Sequence, residues 1–90
     1  MSITMLVTHQ VEDFDTWKIG FDAHESVRAE AGIKATPYKE IGGDPNHVRI
    51  IGTVPSKEVF EEFFSRPEMQ EVMKNARVIS KPEMTFLEEA

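Results

Sequence analysis

Between Ile3 and Gln10, Ile3, Met5 and Val7 alternate with Thr4, Leu6 and Thr8, a period of two that predicts a first strand with apolar side chains on both faces. Glu12, Asp13 and Asp15 then place negative charge where a helix begins, and Gly32 after Ala31 supplies a left-handed stop. A first helix is therefore predicted from about Phe14 to Ala31. Ala35 to Ile41 reads as a second strand, Gly42-Gly43-Asp44-Pro45-Asn46 as a turn, and the β-branched run from Val48 to Val54 as a third strand, together a hairpin. Pro55 and the N-cap candidate Ser56 open a short helix carrying Val59, Phe60, Phe63 and Phe64, which Pro67 interrupts. Ser65 and Glu68 have the spacing of a capping box, after which Met69, Val72, Met73 and Ala76 recur on one helical face. Met84, Phe86 and Leu87 make a closing strand.

The order β-α-β-β-α-β predicts an α+β, ferredoxin-like fold, in which one antiparallel sheet carries two helices on a single face. The other face should then meet water and alternate apolar with clearly polar residues. These strands do not, since Leu6 opposes Met5 and Val7, and Ile51 opposes Val48 and Ile50. A second copy of the same sheet would cover that face through a closed two-fold interface, so the chain is expected to be a homodimer whose sheets pair into a barrel. The competing picture is a monomer with scattered surface apolar residues.

Composition narrows the function classes. Ninety residues are one domain, 1–90, and a chain of this size buries only about 64% of its unfolded surface, so self-association would help it. Ten Lys and Arg against sixteen Asp and Glu give 10 − 16 = −6, a charge that repels phosphate backbones and anionic lipid, so neither nucleic acid nor membrane is an expected partner. RNA-binding domains share the strand and helix order, but the third strand carries no aromatic platform. Cysteine is absent, which excludes disulfides, thiolate zinc sites and cysteine nucleophiles. That absence fits a cytoplasmic location, and nothing from Met1 to Gln10 reads as a signal peptide.

The first helix holds the candidate chemistry. At about 100° per residue, Gly20, Ala31, His24, Trp17, Arg28, Phe21 and Phe14 fall in that order within an arc of roughly 120°. A cation inside an apolar stripe needs a partner or a polar cavity, because desolvating it costs several kcal/mol. Two readings satisfy that need. In one, Arg28 reaches helix-end carbonyls and His24 is a core histidine bonded to backbone. In the other, the gap between helix and sheet is a pocket with Trp17 and Phe21 as aromatic walls, His24 as the catalytic acid/base and Arg28 as an anion clamp. Tyr38 on the second strand is a further substrate-binding candidate. Gly20 interrupts a good helix, through close packing, pocket room or chance. His9, His24 and His47 are separated by 15 and 23 residues, without the spacing of a metal motif, so no metal and no cofactor are expected.

W-K-x-x-F-D-x-H from Trp17 to His24, the D-P-N turn at Asp44 to Asn46 and P-E-M-T-F-L-E-E from Pro82 to Glu89 resemble the dimeric α/β-barrel superfamily, in its antibiotic-biosynthesis-monooxygenase-like and small cyclase-like branch. The resemblance spans nearly the whole chain. It implies paired sheets and a small aromatic or polyketide-like ligand between sheet and helices. It also implies cofactor-free oxygenation, cyclisation or isomerisation as candidate activities, beside a non-catalytic binding or assembly module of the same fold. Haem is not expected, because haem-degrading relatives use a histidine on the second helix and Ser56 to Ala76 contains none. Where relatives commonly have Ala-Gly-Val, this chain has Ala76-Arg77-Val78, an added cation.

Overall fold

The computed structural model describes residues 3–90. Four strands, β1 (Ile3–Gln10), β2 (Lys34–Tyr38), β3 (His47–Val54) and β4 (Glu83–Leu87), form one antiparallel sheet in the order β2-β3-β1-β4. Both helical regions are split, the first into α1 (Phe14–Ala23) and α2 (Glu25–Glu30), the second into α3 (Lys57–Ser65) and α4 (Pro67–Asn75). The chain is therefore ferredoxin-like, with the helices on one face of the sheet. Met5, Val7, Val48, Ile50 and Val54 from the sheet and Trp17, Phe60 and Phe63 from the helices build the core between them.

Local chemistry explains most boundaries. The Asp13 carboxylate accepts from Thr16 N at 2.9 Å and from Thr16 Oγ1 at 2.8 Å, capping α1. Asn46 of the D-P-N turn takes part in the same helix start, because its Oδ1 accepts from Phe14 N at 2.9 Å. Asp44 is engaged in the turn, accepting from Asn46 N and from Gln10 Nε2. At the end of α2, Gly32 stands at φ 76°, and the bonds Gly32 N to Ala29 O and Ile33 N to Arg28 O complete a Schellman stop. Ser56 caps α3 through Val59 N at 3.1 Å.

Two expectations about helices are corrected. The first helix is not continuous to Ala31 but breaks at His24, whose φ −107° and ψ 16° leave the helical region. The carbonyls of Gly20 and Phe21 accept side-chain donors from His24 and Arg28 there, in competition with regular backbone bonding. The capping box at Ser65 does not form either. Proline restricts the residue before it, so Arg66 adopts an extended conformation (ψ 137°), becomes the N-cap of α4 without a side-chain bond, and leaves Ser65 Oγ to donate to Glu62 O. The second strand ends at Tyr38, three residues before the expected Ile41.

The sheet's outer face carries Thr36, Ile51, Leu6 and Thr85 in one cross-strand row and Tyr38, Arg49, Thr8 and Glu83 in the next. Ile51, Leu87 and Tyr38 are among the exposed large side chains of the described residues.

Candidate functional site

A cavity of about 70 Å³ lies between the sheet and the helices. Four of the five expected site residues meet on its wall, namely Trp17, Phe21, His24 and Arg28. Alternation in β2 turns Tyr38 away from Ala35, which lines the cavity, so the tyrosine stands on the outer face with 48% of its surface exposed. Apart from His9, the remaining wall is apolar, with Met5, Val7 and Ile50 from the sheet and Phe60, Phe63, Met69 and Met73 among those from α3 and α4. No Asp or Glu is among the lining residues.

The helix break places the two polar side chains. His24 Nδ1 lies 2.9 Å from Gly20 O. A carbonyl can only accept, so Nδ1 carries the proton in this bond and the lone pair of the neutral ring resides on Nε2, the atom able to take a proton. Arg28 is only 8% exposed, donates through Nη1 to Phe21 O at 2.8 Å, and holds its guanidinium carbon 3.7 Å from the Phe21 ring centroid. Burial pushes the guanidinium below its ordinary value, while Glu25 and Asp22 act in the opposite direction. Neither acid forms an ion pair with it among the described residues. Five donors in a rigid fork against one carbonyl partner leave the group able to bind an oxyanion.

His9 is a cavity residue that sequence reasoning left out of the site candidates. It stands at the end of β1 beside the start of β3, lines the cavity, is 5% exposed, and meets the Trp17 ring edge-on at a centroid distance of 5.5 Å. The signal was present in the alternation, since Met5, Val7 and His9 share one face of β1. Burial first, then repulsion from His47, lowers the His9 pKa to about 4, and its buried Nδ1 has no hydrogen-bond partner. His9, Trp17 and Phe21 continue as a ladder, the last two rings 4.9 Å apart.

Gly20 also lines the cavity. A Cβ there would meet Ala76 Cβ at 3.7 Å, an ordinary contact, so close packing does not require the glycine.

No protein-family model matches the chain, and no curated protein matches it in sequence. Solved structures do match. A protein of Bordetella bronchiseptica, provisionally named an antibiotic biosynthesis monooxygenase, superposes with a TM-score of 0.81 at 12% identity, covering 99% of this chain and 97% of that one. SnoaB, a cofactor-independent oxygenase from Streptomyces nogalater, gives 0.73 at 13% identity over 99% and 95%. Rv0793 from Mycobacterium tuberculosis gives 0.67 at 14% identity over 100% and 96%. At such identities the likeness is one of fold, the ferredoxin-like fold of the antibiotic biosynthesis monooxygenase structures.

Proposed function

We propose that this chain binds a small aromatic, enolisable molecule in the cavity between sheet and helices and acts on it without a cofactor. The observation that carries the reading is the meeting of His24, with its basic Nε2, and the buried Arg28 on a wall otherwise made of aromatic and aliphatic side chains. His24 removes a proton from the substrate, Arg28 holds the resulting enolate, and the rings of Trp17 and Phe21 accommodate a flat body. Cyclisation or isomerisation needs nothing more. Oxygenation of an activated methylene consumes dioxygen and releases a carbonyl product and water. The same fold in a cofactor-independent oxygenase supports this reading without fixing the reaction.

The working unit in this reading is a homodimer paired through the outer sheet faces. Leu6, Ile51 and Leu87 offer an apolar surface there. On the same face the buried Arg49 Nη1 lacks a hydrogen bond, with Glu40 Oε2 at 3.6 Å as its ion-pair partner. Sedimentation equilibrium at micromolar concentration yielding only a species of about 10 kDa would remove the dimer.

The competing reading, a non-catalytic binding or assembly module, draws its support from the small cavity volume. Turnover of a panel of fused-ring phenols and enols, followed by absorbance and oxygen uptake, separates the two. His24→Ala is expected to lower turnover by on the order of 10² to 10⁴ while remaining folded, and His47→Ala to change it little. Wild-type turnover by folded His24→Ala would exclude His24 from the chemistry.

A further inference from the structure

The cavity is too small for the ligand that its walls suit. An apolar cavity of about 150 Å³ takes up one benzene, so about 70 Å³ does not admit even a single ring as the side chains stand. A larger groove of about 500 Å³ lies outside it, between α2 and β2, lined by Glu25, Ala29, Gly32, Lys34 and Thr36. The two compartments share Arg28, Ile33 and Ala35 as lining residues. Ile33 and Ala35 belong to the chain leading into β2 and to the strand itself, whereas Arg28 carries a long side chain held by one carbonyl and one aromatic ring.

We infer that Arg28 is the gate between these compartments, and that the ligand is an aromatic carboxylate that enters from the α2–β2 groove, takes the place of the guanidinium on the Phe21 ring and bonds it through a carboxylate oxygen. This deepens the proposed function and rests on it. The guanidinium already occupies the position that an incoming flat ring would take over Phe21. An anion compensates Arg28 for the lost ring contact with a charge-assisted hydrogen bond, and a neutral ligand offers no such exchange. No carboxylate is among the lining residues of the inner cavity, and in the groove the charge of Glu25 is accompanied by that of Lys34, so an anion meets its least repulsion once inside.

The test uses 2-naphthoate and its uncharged relative 2-naphthamide. Affinity is measured by calorimetry and association rate by stopped-flow fluorescence of Trp17, the only tryptophan in the chain. Wild type should bind naphthoate the more tightly. Arg28→Gln keeps a planar amide donor but has no charge, and it should weaken naphthoate by about ten- to a hundredfold while leaving naphthamide unchanged or tighter. Ala29 is exposed on α2 and lines only the groove, so Ala29→Phe, which leaves Trp17 the sole tryptophan, should fold normally and slow association of naphthoate at least severalfold. Equal losses for both ligands in Arg28→Gln would overturn the gate and leave Arg28 as a helix-end cap. An unchanged association rate in Ala29→Phe would overturn the route while the binding site stands. Failure of wild type to bind either probe at millimolar concentration would overturn the ligand-binding reading itself, and the gate with it.

Discussion

His9 makes the stability of this protein depend on pH in a range where carboxylates are still ionised. Its imidazole has a folded-state pKa of about 4 against an ordinary value of 6.5, because burial disfavours the charged ring and His47 adds repulsion. A base with a depressed folded pKa binds its proton more readily in the unfolded chain. Stability is therefore full above the unfolded pKa and falls as pH drops from 6.5 toward 4. With those two values, the loss between pH 7 and pH 5 is about 2 kcal/mol, and its slope approaches 1.36 kcal/mol per pH unit. Against the roughly 5 to 15 kcal/mol of a typical domain, that is a large fraction.

The assay is urea unfolding at fixed protein concentration at pH 7, 6 and 5, read by Trp17 fluorescence and by far-ultraviolet circular dichroism. His9→Leu keeps an apolar side chain of similar size against Trp17 and removes both the titrating ring and its unpartnered buried Nδ1. The difference between wild type and variant should shift by about 2 kcal/mol in favour of the variant on going from pH 7 to pH 5. Asp13 and Asp44 complicate only more acidic conditions. Hydrogen bonds, those from Thr16 to Asp13 and those from Asn46 and Gln10 to Asp44, lower both carboxyl pKa values, so their stabilisation is lost as pH falls below the ordinary carboxylate range. A wild-type stability that is flat from pH 7 to pH 5, or a slope that survives in His9→Leu, would refute the reasoning.

Other expectations concern backbone and interface. A Cβ at Gly52 would run into the Lys34 carbonyl oxygen and come within 2.9 Å of Ala35 Cα, so Gly52→Ala should lose at least about 2 kcal/mol by forcing β2 off β3. Gly20→Ala, whose new methyl meets only Ala76 Cβ at 3.7 Å, should instead gain up to about 1 kcal/mol from helix propensity, and urea midpoints compare the two directly. Arg77 is held at φ 62°, a left-handed conformation that costs a non-glycine residue about 1 kcal/mol or more. Arg77→Gly should raise the melting temperature, since the exposed Glu12 ion pair that it removes is worth no more than about 1 kcal/mol. Ile51→Glu puts a charge at the centre of the outer sheet face and should shift the sedimentation equilibrium from dimer to monomer without changing the circular dichroism of the folded chain.

Most of the fold was legible because periodicity and turn chemistry agreed. Alternation located β1, a β-branched run located β3, Gly32 ended the first helical region, and Ser56 began α3. What escaped depended on competition between neighbours. The capping box at Ser65 failed because Pro67 restricts Arg66 more strongly than a serine hydroxyl can recruit the next turn. Tyr38 was grouped with the site as an isolated strand tyrosine, although counting by twos from Ala35 sends it to the outer face. The same count applied to Met5 and Val7 brings His9 inside, so this part of the site was legible and overlooked.

The two meanings read from the first helix, a helix-end cap and a ligand pocket, turn out to be compatible at the level of single atoms. His24 uses Nδ1 and Arg28 uses Nη1 to bond the carbonyls at the end of α1, which is the structural role that a buried histidine and arginine would be assigned. Those bonds do not consume either group. The first fixes the tautomer that leaves Nε2 basic, and the second leaves four of the five guanidinium protons. The break between α1 and α2 thus acts as a device for delivering two polar side chains into an apolar gap, with His24 Nδ1 bonding the Gly20 carbonyl and Arg28 joining the His24 N–H on the Phe21 carbonyl. A continuous helix would bond the Gly20 and Phe21 carbonyls internally and could still carry both side chains on its inner face. It would hold them by packing alone, without the hydrogen bonds that set the imidazole tautomer and the guanidinium position before any ligand arrives.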